Sequence, residues 1–541
     1  MSIARSSMIM ATGTVLSRIL GFVRAVLLAA MIGVTTNAAD AFGVANQLPN
    51  NVYAIIVGGV LNAVLVPQII RARGQTDGGK GFIDRLLTLA IVVFGSVTVL
   101  ATVGAPLLIR LYTSGWSAPQ LALATAFAYW CIPQLFFYGL YSMLGEVLNA
   151  RSAFGPFMWA PVLNNVVSLI GMGIYIWMFG ADPTGAHTVD QWGVSQIGWL
   201  AGSATAGVAA QALILFVSWR RIGLHFKFNF KWRGFGLRPA MKAATWTMAM
   251  VLISQIGGLV QSVVASKAIV HRGEGIEIAS IAAASIAWLI FMLPHSVATV
   301  SIATAYFTKI SQHAHEGKLD QMKADLGTAV RVIAMVSILA TAIIMVLALP
   351  ISRVFVGEYP ATVALAQVIL GFMVGLLPFS LLFMLQRAFY ALEDTQSPFW
   401  FTVLQISIYV LGAWFINWLV PAPQVVLALA LLTSISVCAQ AATAYMLLRR
   451  KIGSLAEFGL LRASGGFFAA AAVAAGLGWA TLEVIGTGSA ASFALRSVLN
   501  AGIASIAVAV VMVLTYLLVL RLLKSRETDA MFELIRGIVR R

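Results

Sequence analysis

Charge is scarce in this sequence. Lys, Arg, Asp and Glu make up 10% of its 541 residues, against about 25% in soluble globular chains. An ordinary water-soluble surface is therefore excluded. Acids are scarcer than bases, at 19 against 35, and no acidic cluster suggests a divalent metal. Cysteine is nearly absent. Cys131 and Cys438 both lie inside apolar runs and give neither a disulfide framework nor a metal spacing. His271, His313 and His315 fall in loops without metal-ligand partners. No Walker sequence occurs, so ATP hydrolysis is not expected. Neither a cofactor nor an enzymatic activity is expected from these residues.

Apolar length is what the chain has. It is 60% hydrophobic, with a mean hydropathy of +0.91. Spans are expected near 8–33, 42–70, 85–110, 122–149, 156–179, 196–219, 242–270, 278–308, 329–352, 361–391, 399–420, 423–447, 462–484 and 495–522. Each can cross a hydrocarbon core of about 30 Å. Within lipid, backbone groups must be satisfied internally, which leaves helices or a closed barrel. The runs are continuous rather than alternating, so an all-α polytopic membrane protein of about fourteen transmembrane helices is expected. The first run has arginines at its centre and no small-residue cleavage site, so it reads as a retained helix.

The net charge of +16 follows topology rather than nucleic-acid binding. Basic residues gather in alternate loops, with seven and no acid in 220–242. The positive-inside rule places both termini in the cytoplasm. The tail 525–541 reads as a short amphipathic helix on the membrane surface.

The chain repeats itself. The run Ser17-Arg18-Ile19-Leu20-Gly21-Phe22-Val23-Arg24-Ala25-Val26 matches Ser254-Gln255-Ile256-Gly257-Gly258-Leu259-Val260-Gln261-Ser262-Val263. Leu48-Pro49 is echoed by Leu293-Pro294. Leu148-Asn149-Ala150 with Pro156-Phe157 is echoed by Phe389-Tyr390-Ala391 with Pro398-Phe399. Six spans separate the copies, which makes them parallel repeats about an axis along the membrane normal. Two bundles with a site between them is a common plan for secondary transporters. The expected division is 1–225 for an N-lobe, 226–455 for a C-lobe, 456–524 for two additional spans and 525–541 for the tail.

Arg18 and Arg24 are the sharpest signal. Each lies more than about ten ångströms from the nearer end of span one, at roughly 1.5 Å per residue. A mid-membrane arginine costs between about 2.5 and 17 kcal/mol, so both are expected to face a wet cavity or a partner. They stand about 120° apart on the helix, with Gly21 midway, where a ligand group could approach the backbone. The other reading pairs them with buried carboxylates, Asp40 or Glu146. Asp40 is read equally as the cap of span two or as a gating residue. Pro49 and Pro294 are read as interrupting spans two and eight, as hinges or as tolerated kinks. Lys267 faces the cavity or snorkels to the interface. Glu146 and Arg387 hold corresponding places in the two halves.

Several of these residues bring a family into view. The run Ser17 to Arg24, then Asp40-Ala41-Phe42 and Leu48-Pro49-Asn50, resembles the opening of the MurJ/MviN lipid II flippases. So do Gly59 with Val66-Pro67, Ala160-Pro161-Val162-Leu163-Asn164-Asn165, and Phe389-Tyr390-Ala391-Leu392-Glu393-Asp394-Thr395 with Pro398. The resemblance covers essentially the whole chain. It implies a member of the multidrug/oligosaccharidyl-lipid/polysaccharide exporter superfamily. Such a protein has two six-helix lobes around a central cavity and two further helices forming a groove for a polyprenyl tail. The implied function is export of lipid II, an undecaprenyl-diphosphate-linked peptidoglycan precursor, across the bacterial inner membrane by alternating access. The implied partners are that substrate, membrane lipids, and cell-wall synthesis and division proteins. Arg18, Arg24 and Asp40 match positions important in the family.

The chain departs from the family pattern in places. Tyr53 and Ala54 stand where arginines often follow Leu-Pro-Asn, and Trp288-Leu289-Ile290-Phe291-Met292-Leu293 stands where an Arg and a Glu often precede the proline. The stretches 238–272 and 395–456 carry no acid, where some relatives show a sodium site. Other readings are a flippase for another polyprenyl-linked glycan, a drug/cation antiporter, and a scaffold in a cell-wall synthesis complex.

Overall fold

The computed structural model describes residues 3–72, 79–151, 153–231, 238–269, 278–455, 459–525 and 527. The described residues are 85% helix, and no strand occurs among them. Thirteen helical segments are long and apolar enough to cross a membrane, counted over the described residues. The expected second span is helical from Asn37 to Ala72. The tail beyond Glu527 lies outside the described residues.

The chain divides into two compact units, Met1–Val270 and His271–Arg541. The first contains α1 (Ile3–Ile32), α2 (Asn37–Ala72), α3 (Lys80–Val103), α4 (Ala105–Tyr112), α5 (Ala118–Cys131), α6 (Gln134–Ala150), α7 (Phe154–Phe179), α8 (Val194–Arg221) and α9 (Arg238–Ala268). Contacts group α9 with this unit, although the repeat assigns it to the second half. It packs along α2. Gln255 Nε2 donates to the Asn51 carbonyl at 3.3 Å. Ser266 Oγ accepts the Ser114 N–H at 2.8 Å, and Trp116 Nε1 donates to the Ser266 carbonyl at 3.3 Å. Sequence repetition fixes a helix's length and register; its packing is set by which neighbour satisfies its polar groups.

Breaks in the unit have local causes. Pro106 follows the α3–α4 bend at Gly104. Pro133 separates α5 from α6, because its ring clashes with the preceding turn and donates no hydrogen bond. Helices α7 and α8 approach closely at two small residues. A Cβ on Gly171 would lie 2.2 Å from Ser203 Cβ, and one on Gly207 would lie 2.5 Å from Asn164 Oδ1. In lipid there is no hydrophobic force between helices, so such close packing carries association. A buried core gathers on α3, α6 and α8 around Phe94, Leu144 and Trp219. The Trp219 Nε1 donates to the Leu144 carbonyl at 3.3 Å.

The second unit contains α10 (Ile281–Pro294), a π-helical turn (His295–Thr299), α11 (Val300–His315), α12 (Leu319–Val346), α13 (Ala348–Phe355), α14 (Tyr359–Met373), α15 (Leu376–Ala391), α16 (Gln396–Leu419), α17 (Val425–Ile452), α18 (Leu460–Ile485), α19 (Phe493–Arg496) and α20 (Val498–Leu522). It repeats the earlier breaks in the same order, with α12–α13 answering α3–α4 and α14–α15 answering α5–α6. The α14–α15 break falls at Val374 and Gly375. Pro378 lies four residues beyond Val374 and cannot donate to its carbonyl. One core joins α11, α12, α15, α16 and α17 around Phe389 and Phe401. Another joins α12, α18 and α20 around Phe467 and Tyr516, where the Tyr516 hydroxyl donates to the Met335 carbonyl at 2.9 Å. Cys131 is buried, and Cys438 is exposed.

Candidate functional site

The two arginines of α1 differ in setting. Arg18 is exposed and Arg24 half-buried. Helix α1 packs along α7, where Asn165 Nδ2 donates to the Ser17 carbonyl at 2.9 Å. Gly21 turns toward the same amide. Asn165 Nδ2 lies 3.8 Å from where a Gly21 Cβ would stand, an ordinary packing distance. Arg24 instead lies within electrostatic range of Tyr138 on α6.

Tyr138 opens onto a polar face that the arginines alone did not reveal. Its hydroxyl donates to Gln134 Oε1 at 3.2 Å. Gln134 Nε2 donates to Asn46 Oδ1 at 3.0 Å and to Thr205 Oγ1 at 3.1 Å. Thr205 Oγ1 passes its own proton to the Trp130 carbonyl at 2.7 Å. Further along α6, Tyr141 donates to the Phe157 carbonyl at 3.0 Å, and Ser142 engages the Tyr53 hydroxyl. Asn164 Nδ2 donates to Gln211 Oε1 at 2.8 Å. Residues 134, 138, 141, 142 and 146 share one face of α6 at helical spacing. That spacing was the available signal in the sequence.

Asp40 is fully buried in the first turn of α2. It does not cap the helix. Thr36 does, since its Oγ1 accepts the Ala39 N–H at 3.0 Å. The helix starts four residues earlier than the Asp40 cap requires, because Gly33 at φ +77° ends α1 there. Above this corner, the Asp182 N–H donates to the Met31 carbonyl at 2.9 Å. The Asp182 carboxylate accepts the N–H groups of Ala186 and His187 at 2.8 and 2.9 Å. Burial opposes its ionisation, but these bonds and the His187 ring outweigh it and hold the carboxyl below its ordinary range.

The two expected interruptions part company. Helix α2 runs unbroken across Pro49, so the proline does not interrupt the span, and the continuous helix is compatible with a tolerated kink. Its remaining ladder tolerates one missing donor, as membrane helices do when neighbours and local adjustment re-satisfy the freed carbonyl. Pro294 is followed by the π-helical turn. There the buried His295 ring meets Ser380 Oγ at 3.2 Å and lies 4.6 Å from the Phe379 ring centroid. Single π-turns inside helices often mark functional positions. Lys267 is exposed in the last turn of α9. Arg387 stands over the Phe383 and Phe307 rings at 5.0 and 5.2 Å.

Known proteins with this pattern are transporters. A family model described as "Lipid II flippase MurJ" matches residues 28–499. That range begins after Arg18, Gly21 and Arg24, so their setting rests on the structure. Among similar relatives, a protein of Rhizobium tropici named "Probable lipid II flippase MurJ" is 27% identical over 75% of this chain and 74% of its own. A Haemophilus influenzae protein of the same name is 26% identical over 71% and 75%. Among solved structures, "Lipid II flippase MurJ, inward closed conformation" gives a TM-score of 0.70 at 17% identity, covering 93% of this chain and 98% of that one. An inward-facing multidrug resistance MATE family transporter of the MOP superfamily gives 0.61 at 16% identity, covering 81% and 99%. At these identities the structures establish the fold.

Proposed function

The chain belongs to the lipid II flippase MurJ family, and on that premise we propose that it carries lipid II from the cytoplasmic to the outer leaflet of the bacterial inner membrane, with Arg18 and Arg24 receiving the diphosphate. It is a multi-pass membrane transporter and not an enzyme. The observation that supports the site is the placement of Arg24 beside the Tyr138–Gln134 network. A cation at mid-span is expensive unless something polar or anionic meets it. Here Tyr138, the group within its electrostatic range, is neutral and hydrogen-bonded to Gln134, leaving the charge available to a ligand. Guanidinium groups bind phosphate oxygens through charge-assisted and often bidentate bonds.

The cycle follows from electrostatics. The basic loops, including the 449–451 cluster, are placed in the cytoplasm with both termini. The diphosphate enters from that side while the polyprenyl tail stays in lipid, with α18 and α20 beside it. The repeats then act as the moving bodies of alternating access, and a ligand shifts that equilibrium only by its difference in affinity for the two states. With the cell interior negative, exporting each negative charge is downhill by about 2.3 kcal/mol per 100 mV. The membrane potential thus gives direction without a coupled ion.

The test is a leaflet-exposure assay for lipid II in cells depleted of their native transporter. The Arg18→Ala, Arg24→Ala double variant is expected to lose at least about ten-fold in transport, because a hydrogen bond to a charged group is worth about 1.5–3 kcal/mol. Transport equal to that of the unmodified chain, at matched membrane levels, would remove both residues from the site.

A further inference from the structure

The second unit carries a cavity of about 580 Å³ where the start of α18 meets the end of α20. Arg331, Arg462, Lys524 and Glu527 line its polar side, and Phe467 and Leu523 its apolar side. The cations are not all spent in ion pairs. Arg331 Nε pairs with Glu527 Oε1 at 2.6 Å, and Ser525 Oγ donates to Glu527 Oε2 at 2.9 Å. Burial opposes the ionisation of Glu527, yet its hydrogen bonds and the Arg331 charge hold its carboxyl below the ordinary range. Arg462 and Lys524 have no side-chain hydrogen bond or ion pair among the described residues, so the lining keeps an excess of positive charge.

Lys524 is held in place by backbone geometry. It ends α20 at φ +53°, in the left-handed region where glycine is the usual residue. The Ser525 N–H donates to the Leu520 carbonyl at 3.1 Å and the Lys524 N–H to the Arg521 carbonyl at 3.0 Å. Beside it, Leu523 is 53% exposed, and a Cβ on Gly466 would lie 3.8 Å from Leu523 Cδ1. An apolar wall open at its side, with two unspent cations at its rim, suits an amphiphile with a phosphate head.

We propose that this cavity binds one anionic phospholipid, its phosphate on Arg462 and Lys524 and its upper acyl chain along Leu523. The site lies apart from Arg18 and Arg24 in the chain and does not depend on their role. The Arg331–Glu527 pair forms its floor and withholds the third cation.

The full-length protein, purified in detergent, is titrated with phosphatidylglycerol, phosphatidylcholine and inorganic phosphate, and bound species are read by native mass spectrometry. Phosphatidylglycerol is expected to bind in preference to phosphatidylcholine, and inorganic phosphate not to displace it. Arg462→Gln with Lys524→Gln is expected to weaken phosphatidylglycerol retention by more than about ten-fold, each surface cation being worth about a factor of five toward anionic lipid. Glu527→Gln is expected to strengthen it by freeing Arg331. Thermal unfolding confirms that each variant is folded, and Arg462→Lys is expected to restore most of the binding where the charge is the cause. Equal binding by the double variant, equal retention of phosphatidylcholine, or full displacement by inorganic phosphate would each overturn the proposal.

Discussion

Helices α5–α6 in the first unit and α14–α15 in the second break at matching places, yet their inner faces are made of opposite materials. Around α6 the contacts are amides and hydroxyls, with Gln134 joining Asn46, Thr205 and Tyr138. Counting from the shared Leu-Pro and Ala markers, Phe291 replaces Asn46 and Phe379 replaces Tyr138. Those two rings meet at 5.3 Å, and Trp288 stacks on Phe291 at 4.8 Å. Glu146 gives way to Arg387, which sits on aromatic faces. The two arginines of α1 become Gln255 and Gln261, and Gln255 is engaged with the Asn51 carbonyl. The difference teaches that proline and glycine positions dictate the helix breaks, while the interior remains free to diverge. One half keeps a polar wall beside a cation, and the other is sealed by aromatic packing.

Exchanging the two interiors gives the largest expected effect. Gln134→Leu strands the amide of Asn46 and the hydroxyl of Tyr138. Phe291→Asn puts an amide into an aromatic cage. Each unsatisfied buried group costs about 1–3 kcal/mol, so both variants are expected to unfold at clearly lower temperature in detergent. If Phe291→Asn proves neutral, the second interior is wetter than its packing indicates, and the contrast fails. A smaller effect is expected from Tyr138→Phe, which makes the first unit resemble the second at one atom. The loss of one hydrogen bond costs about 1 kcal/mol, and transport is expected to fall more than stability does, because the hydroxyl lies within range of Arg24. Equal loss in both readouts would give Tyr138 a purely structural role.

The smallest effect concerns the corners after α6 and α15. Asp394 accepts N–H bonds from Gln396 and Ser397 at 3.0 and 2.9 Å and an ion pair from Lys451. Burial opposes its ionisation, but these partners outweigh it and lower its proton affinity. A carboxyl held low in the folded state stabilises fully above its unfolded value of about 3.9 and loses that contribution as pH falls through the folded one. The corner Arg151-Ser152-Ala153 has no acid. The hydrogen-exchange protection factor, which corrects for the intrinsic pH dependence of amide exchange, is therefore expected to fall at 394–397 between pH 6 and pH 3 and not at 151–155. Asp394→Asn should abolish the difference, at a cost of under about 1 kcal/mol for the lost ion pair. Equal falls in protection at both corners would show that acid acts elsewhere.

Most of the fold was legible because its causes are local. Apolar length gave the spans, and loop charge gave the expected orientation. The site was legible only in part. Arg18 and Arg24 stood out because charge in an apolar run is costly. Gln134, Tyr138 and Asn46 did not, since each is unremarkable alone and they meet only when α2 and α6 pack. Of the two readings of Asp40, a cap or a gating residue, the structure removes the cap, because the helix start is set by Gly33 and Thr36. Pro49 and Pro294 carry the same local signal, and only their surroundings turn one into a continuous helix and the other into a π-turn.

The sequence by itself determined that the chain is helical, that it crosses the membrane many times and that two guanidinium groups lie in its first span. These follow from one-dimensional quantities: run length, loop charge and the missing donor of proline. The tertiary structure alone decided that α9 joins the first unit, that Gly21 faces Asn165 and that Arg24 comes within electrostatic range of Tyr138. Each depends on which helix faces come together, and in lipid that choice rests on shape and hydrogen-bond pairing between distant residues, which hydropathy does not encode.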